Sequence, residues 1–488
     1  MSECAALLSK DAMILFRLLF LASSICLTSY GQVTRLDSVR SELHRVFSTP
    51  LLQKASFGFY AKSLSTGQDI HKHNEQTRFS TASCMKLVTT AAALDRWGPS
   101  RQFKTELLSE DTVRRGVLDG HLYVKGYGDP YLTTEILLRA VYHLKASGLR
   151  EIKGDLVADA SYLIDTPNAE TNDRAYSAVG GALGFNFNTI AINVEPGIRP
   201  GDTANVYIIP PSKLFTLDNR VMTTDSGGGH TISNGNVTIR YGKNGTAAVG
   251  AYGTIGSDEK GVVIYKRIES PEIFTATVIA ETFEQFGIKI RGRIRTGLTP
   301  RKVRTVAEIF SYDLLAIVAG VNKWSNNYVA GQLLMILGAE DGGVPGTDAK
   351  GIAAVRKFLA KVPIADTEIV MVDGAGLDGR NQMTPAAHVR LLEYMYRHFP
   401  DAAEFIASLS IGGIDGTEKK RFLKNGGPIG TSRLKIGYLH GVSGLSGYVQ
   451  GRSGDVTAFA MFTNGFPIDE YESVKRLEDR VCQLLASL

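Results

Sequence analysis

Cysteine is scarce, with four residues in a chain of 488. Cys4 and Cys26 fall in the leading segment, so only Cys84 and Cys482 remain for the fold. So few thiols exclude a disulfide-built scaffold. A bridge between Cys84 and Cys482 would tie down the helix start at residue 83, so both read as core thiols. Tryptophan is rarer still. Trp97 and Trp324 flank predicted helix ends and read as packing residues. Lys and Arg form no extended run and the formal net charge is +5, which excludes nucleic acid as a partner. Beyond the amino terminus no apolar stretch is long enough to cross a bilayer, and no internal repeat is visible. His71-Lys72-His73 has strand spacing but no third ligand nearby, so no metal or other cofactor is expected.

What is present is ordinary globular material, 44% hydrophobic and 21% charged. The length suits roughly three domains, or one domain with large insertions. An apolar run opens at Met13-Ile14-Leu15-Phe16, and Ser29-Tyr30-Gly31 then supplies the small residues a signal peptidase reads. Cleavage after Gly31 is expected, leaving Gln32 first, with translation starting at Met1 or Met13. Lipidation at Cys26 is disfavoured by the bulk of Ile25. Residues 1–31 are therefore read as a signal peptide, and the protein as exported to the periplasm or cell envelope.

Val33, Leu36, Val39, Leu43 and Val46 predict an amphipathic helix over 33–48. Residues 55–72 predict two strands around the turn Ser65-Thr66-Gly67. Ser83 opens a helix running through Leu87, Val88 and Leu94 to Trp97-Gly98. From about 102 to 265 the texture becomes β-like, with Leu122-Tyr123-Val124, Val206-Tyr207-Ile208, Val237-Thr238-Ile239 and Val262-Val263-Ile264 separated by Gly- and Asn-rich turns. Helices return over 273–286, 311–321 and 386–398. Strands follow over 433–439, 447–450 and 456–463, then a helix over 470–488. The order implies an α/β (α+β) fold. A discontinuous domain with an antiparallel sheet flanked by helices, 32–101 and 266–488, carries a mostly β insertion over 102–265.

Three short elements carry the chemistry. Ser83-Cys84-Met85-Lys86 puts a lysine on the same helical face as a serine, at a helix start. A serine hydroxyl needs a base to take its proton, and a neutral amine can serve. S-x-x-K recurs at Ser257 and Ser432, but only Ser83 begins an apolar helical run. Ser325-Asn326-Asn327 is the only S-x-N in the chain. K-[ST]-G is absent. K-x-G occurs at Lys243, Lys424 and Lys435, and Lys435-Ile436-Gly437 alone lies in a predicted strand after the other two elements. The order S-x-x-K, S-x-N, K-T-G is that of serine enzymes that react with penicillin; here the first two elements match and the third is altered.

The chain resembles the class C low-molecular-mass penicillin-binding proteins, the D-alanyl-D-alanine carboxypeptidase/endopeptidase family. The likeness runs through Gly126-Tyr127-Gly128-Asp129-Pro130, Gly154-Asp155-Leu156-Val157-Ala158-Asp159, Asp373-Gly374-Ala375-Gly376-Leu377 and Asp415-Gly416-Thr417. It continues from Lys435-Ile436-Gly437-Tyr438-Leu439-His440-Gly441-Val442 to Leu445-Ser446-Gly447-Tyr448. The resemblance implies a serine-transpeptidase/β-lactamase-like fold and a D,D-peptidase acting on peptidoglycan stem peptides, with β-lactams as inhibitors. Ser83 would be acylated, Lys86 would be its general base, and Ser325 would relay the proton to the departing amine. Asn327 would hold substrate and Lys435 would supply positive charge. The oxyanion hole would use backbone N–H groups of Ser83 and Tyr438, just past Gly437. Asp159 is read either as a substrate contact or as a turn residue, and His440 as mainly structural.

Two departures bear on specificity. The family's threonine is Ile436, and the hydroxyl residue after the glycine is Tyr438. Losing a donor to a charged carboxylate costs about 1.5–3 kcal/mol, which shifts preference away from free D-alanine carboxylates. The family's Asp-Gly-Ser-Gly-Leu reads with Ala375. These changes leave two other readings: a peptidoglycan-binding scaffold with weakened catalysis, and an esterase or β-lactamase-like hydrolase of the same mechanism.

Overall fold

The segment Val456–Asn464 reads VTAFAMFTN and offers almost no polar side chain for a solvent-facing side. A strand of this texture has to be covered on both faces, and its inner residues are all buried. The computed structural model describes residues 35–164, 172–423 and 426–488. It divides into two compact units.

Of the described residues, the first unit comprises 35–81, Gln382–Glu393 and the part from Leu409 to Leu488. Val456–Asn464 lies inside its six-stranded sheet, ordered Asp69–His73, Ser56–Ser63, Val456–Asn464, Val442–Gln450, Ser432–Leu439, Ser410–Ile411. Every neighbouring pair is antiparallel, and three of these pairs are joined by short turns, at 64–68, 440–441 and 451–455. The turn at Ser65-Thr66-Gly67 has Gly67 at φ +73°, and the two-residue turn His440-Gly441 has Gly441 at φ +68°. His440 is exposed at that tip. A helix over 35–47 and the terminal helix Tyr471–Ala486 cover one face, with Val39, Leu43 and Phe47 joining Val481 and Leu485 in one apolar cluster. Val33 of the predicted first helix lies outside the described residues.

A buried ionic knot fixes the terminal helix within this unit. Arg421 reaches Glu418 at 3.0 Å, Glu478 at 2.9 Å and also Asp479. Ser443 Oγ donates to Glu478 at 2.6 Å. Burial pushes the Glu478 and Asp479 carboxyls up, and the guanidinium pulls against that. Burial works against the Arg421 charge, but its carboxylate neighbours hold it well above its ordinary value.

The second unit comprises Ala82–Asn381 and Tyr394–Ser408. Its helical part contains Lys86–Trp97, Leu314–Trp324, Asn327–Gly342 and Asp348–Leu359. Its largest sheet has five strands ordered Ile294–Thr296, Leu156–Asp159, Leu122–Gly126, Gln102–Ser109, Arg304–Asp313. The pairing is mixed, parallel among the first three strands and antiparallel among the rest. Strands Asn205–Ile209, Val237–Tyr241 and Val262–Arg267 stand where the β-type runs predict them.

Three features differ from the sequence expectation. The segment 102–265 includes the amphipathic helix Thr134–Ala146, which buries Ile136, Leu137, Val141 and Leu144. Its main sheet also takes strands Ile294–Thr296 and Arg304–Asp313 from beyond residue 265. Trp324, expected to pack, is 65% exposed at a helix end. Trp97 is tied down, its Nε1 donating to Glu340 at 2.7 Å. Cys84 and Cys482 are buried free thiols, as expected.

Candidate active site

The Ser83 segment starts with a tight 3-10 turn, Ala82–Met85, and passes directly into the helix Lys86–Trp97. This turn holds Ser83 just ahead of the first α-helical residue, where backbone N–H groups are unspent. Lys86 is fully buried. Its Nζ donates to Ser83 Oγ at 2.8 Å and to the Ala375 carbonyl at 2.5 Å. The structure thus brings together the two residues the i,i+3 spacing predicts. An amine stripped of water is also easier to hold neutral than one in bulk solvent.

The Ala375 carbonyl is aimed by Asp373. One Asp373 oxygen accepts from the backbone N–H of Ala375 at 2.7 Å, Gly376 at 2.6 Å and Leu377 at 3.2 Å. The other accepts from the Asp378 N–H and from Asn381 Nδ2, each at 2.9 Å. Thr89 Oγ1 donates to the adjacent Gly374 carbonyl at 2.8 Å. Gly376 sits at φ +73°, and a Cβ there would lie 2.0 Å from the Ala82 carbonyl, so only glycine lets this turn close on the turn that carries Ser83. Because Lys86 uses the carbonyl of residue 375, alanine in place of the family's serine leaves that contact intact.

Ser325 sits at φ +57°, ψ +38°, between the helices Leu314–Trp324 and Asn327–Gly342. Asn326 caps the second helix, accepting from Val329 N–H at 3.1 Å. Asn327 is that helix's first residue and donates from Nδ2 to the Tyr176 carbonyl at 3.1 Å. Asn322, fully buried, fixes the first helix by donating to Thr90 Oγ1 at 3.3 Å and to Ser408 Oγ at 2.8 Å. Thr90 lies on the helix Lys86–Trp97 that follows Ser83, so the S-x-N turn and Ser83 share one hydrogen-bonded frame. Asn327 lines a cavity of about 610 Å³ together with residues 176–180 and 372–375.

Lys435 and its neighbours belong to the other unit. Lys435 is fully buried in the strand Ser432–Leu439, and its Nζ donates to the Ile436 carbonyl at 2.7 Å. It pairs across the sheet with Ser446, whose Oγ lies 3.1 Å from His388 Nε2. Burial pushes the His388 imidazole down to about 3, so it stays neutral at physiological pH. Ile436 packs against the cluster beneath the terminal helices. Tyr438 meets Tyr471 edge-on, with ring centroids 4.4 Å apart. Gly437 pairs with Gly444.

Asp159 is 1% exposed. Its carboxylate accepts from Ser161 N–H at 3.0 Å, Ser161 Oγ at 2.6 Å and Thr299 N–H at 2.8 Å. Burial pushes this carboxyl up, but the bonds from Ser161 and Thr299 outweigh it and hold it below its ordinary value. The two Ser161 bonds are those of a local turn, and the Thr299 bond ties Asp159 to a segment 140 residues on. The motifs left Asp373, Asn322 and Asn326 without a role. Only the Asp-Gly-x-Gly lettering at 373–376 signals a turn held by an aspartate side chain.

A family model described as D-Ala-D-Ala carboxypeptidase 3 (S13) matches residues 39–488. The chain belongs to that family. It is a serine-type D,D-peptidase of peptidoglycan. The S13 chain is 30% identical over 451 residues to the D-alanyl-D-alanine carboxypeptidase of Actinomadura sp. (strain R39), covering 88% of this chain and 82% of the relative. Its fold is that of penicillin-binding protein 4 from Haemophilus influenzae, with TM-score 0.75 and 24% identity over 92% of this chain and 99% of that one. A predatory peptidoglycan endopeptidase from Bdellovibrio bacteriovorus shares the fold at TM-score 0.52 and 18% identity, over 88% and 93% of the two chains. Among the described residues of this S13 peptidase, no helix is long and apolar enough to cross a membrane, and no group of three His, Cys, Asp or Glu residues could hold a metal.

Proposed function

We propose that Ser83 is the residue acylated by stem peptides, with Lys86 as its base. The observation that carries this reading is the 2.8 Å contact between Lys86 Nζ and Ser83 Oγ, with the lysine fully buried. Neutral Lys86 takes the Ser83 proton as Oγ bonds to the carbonyl carbon of the penultimate D-alanine. The tetrahedral oxyanion then collapses, and the C–N bond breaks. The departing amine receives a proton through Ser325, and water later hydrolyses the ester with the amine of Lys86 again as base. Asn327 holds the stem-peptide backbone.

Lys435, Ile436, Gly437 and Tyr438 are assigned as the third element on motif order and S13 membership. Lys435 supplies positive charge, and the backbone N–H groups of Ser83 and Tyr438 stabilise the oxyanion. Ile436 offers no donor to a free terminal carboxylate, which favours cross-linked dimers over pentapeptide ends. β-Lactams acylate the same serine, and a β-lactam complex of the Haemophilus relative is consistent with that. The protein acts after export, once residues 1–31 have been removed, in the periplasm or cell envelope.

Digestion of purified peptidoglycan, with mass spectrometry of the products, tests this reading. Release of monomers from cross-linked dimers, exceeding the loss of single alanines, is the expected result. No product from either substrate would exclude catalysis and favour a binding role.

A further inference from the structure

Lys266 is buried to 1% exposure in the part of the chain distant in sequence from all three motifs. An ammonium in such a place has to be paired. Its Nζ donates to Asp173 at 2.7 Å and to the Asn234 carbonyl at 3.0 Å. The backbone repeats the link, with Arg267 N–H donating to the Asp173 carbonyl at 3.0 Å. From Asp173 the chain runs through a 3-10 turn, Ala175–Ser177, to Gly181.

That segment is held at two further points by buried amides. Asn188 Nδ2 donates to the Val179 carbonyl at 2.7 Å. Gln332 accepts from Gly181 N–H at 3.0 Å and donates to its carbonyl at 2.8 Å. Between these anchors lies Tyr176, whose carbonyl receives the hydrogen bond of Asn327 Nδ2. Residues 176–180 form one wall of the cavity beside Asn327, and Arg267 lines the same cavity.

We infer that Lys266 is a specificity-determining positioning residue, which fixes the 172–181 wall and through Tyr176 sets where Asn327 presents its amide to the stem peptide. The inference rests on the reading of Asn327 as a substrate ligand. It adds that the β-rich part of the chain selects substrate by this wall, at a distance from the reacting serine. A large stem peptide fills the cavity and feels the wall, whereas a small β-lactam needs little beyond the serine and its immediate donors.

The test compares wild type, Lys266→Met and Lys266→Arg on two probes, a purified cross-linked muropeptide dimer and a fluorescent penicillin. For Lys266→Met the muropeptide kcat/KM is expected to fall about tenfold, carried by KM, because losing one hydrogen bond to the substrate costs about that much. The rate of penicillin labelling is expected to change less than twofold, and Lys266→Arg should recover part of the loss. If Lys266→Met does not fold, Asp173→Asn, which removes one charge of the pair and keeps its shape, carries the same comparison. An unchanged muropeptide KM in a folded variant overturns the inference, as does an equal fall on both probes. A wild type that hydrolyses no muropeptide would instead overturn the proposed function, and that outcome is read before any variant.

Discussion

At the scale of single residues, the proposed chemistry depends on Lys86, whose Nζ lies 2.8 Å from Ser83 Oγ and 2.5 Å from the Ala375 carbonyl. Ser83, Lys86, Ser325 and Asn327 are named by motif because each has to present one functional group, and the spacing of a helix turn fixes the first pair. Asp373 and Asn326 hold their turns through backbone N–H groups two to five residues on, whereas Asn322 works through Thr90 and Ser408, far away in sequence, and no local pattern encodes that contact. Lys86→Met should lower the rate of penicillin acylation by about 10²–10⁴-fold, the usual worth of a positioned base, as read by stopped labelling. Asp373→Asn replaces an acceptor oxygen with a donor facing the Asp378 N–H or Asn381 Nδ2. A loss of about 2–3 kcal/mol is expected from denaturant unfolding, together with slower turnover as the Ala375 carbonyl leaves Lys86. Ile436→Thr should raise the release of terminal alanine from pentapeptides. Because Ile436 packs on the apolar cluster, it should also cost about 1 kcal/mol of stability. No gain in alanine release would remove Ile436 as the source of the selectivity.

At the scale of elements, strands were easier to read than helices. The strands in both units alternate or run apolar between clear turn residues, so pattern and punctuation agree. Helix Asn327–Gly342 escaped because it is buried on nearly every side and has no apolar stripe for periodicity to find. Helix Asp348–Leu359 begins at a Thr347 cap, a single-residue signal without an acidic partner three residues on. Two elements carry predictions of their own. Replacing Arg421 with alanine leaves Glu418 and Glu478 buried without their cation, and about 3–5 kcal/mol of destabilisation is expected in denaturant melts. The edge strand Asp69–His73 packs His71 and His73 against the helix over 35–47. The His73 ring stacks on Phe57 at 4.2 Å, and the His71 ring lies 5.3 Å from Phe47 and 6.3 Å from His44. Burial holds both imidazoles below their ordinary value, with His44 adding to it at each. Arg40 lowers His71 further, and Glu75 works the other way at His73. Lys72 and Asp69 pair with each other beside them. The unfolded chain therefore takes up protons below about pH 6.5 that the folded one refuses. Stability should be level above that pH and fall as pH drops from 6.5 towards 5. His71→Leu should flatten the slope in melts recorded across that range, and a slope unchanged by the substitution would place its origin elsewhere.

At the scale of the whole molecule, motif order was legible and the division of the chain was not. The sheet of the first unit is assembled from the beginning and end of the chain, an arrangement the late run of strands already suggested. The second unit draws strands from both sides of residue 265, because a sheet closes by hydrogen bonding and ignores a change in composition. The leading segment with its apolar run predicts export, and amino-terminal sequencing of the mature protein should begin at Gln32. The central claim is acyl-enzyme chemistry at Ser83, and peptide mapping by mass spectrometry after incubation with benzylpenicillin tests it most directly. The account predicts one penicilloyl adduct, on the peptide containing Ser83, and none in a folded Ser83→Ala protein. An adduct on another residue, or equal labelling of the two proteins, would contradict it.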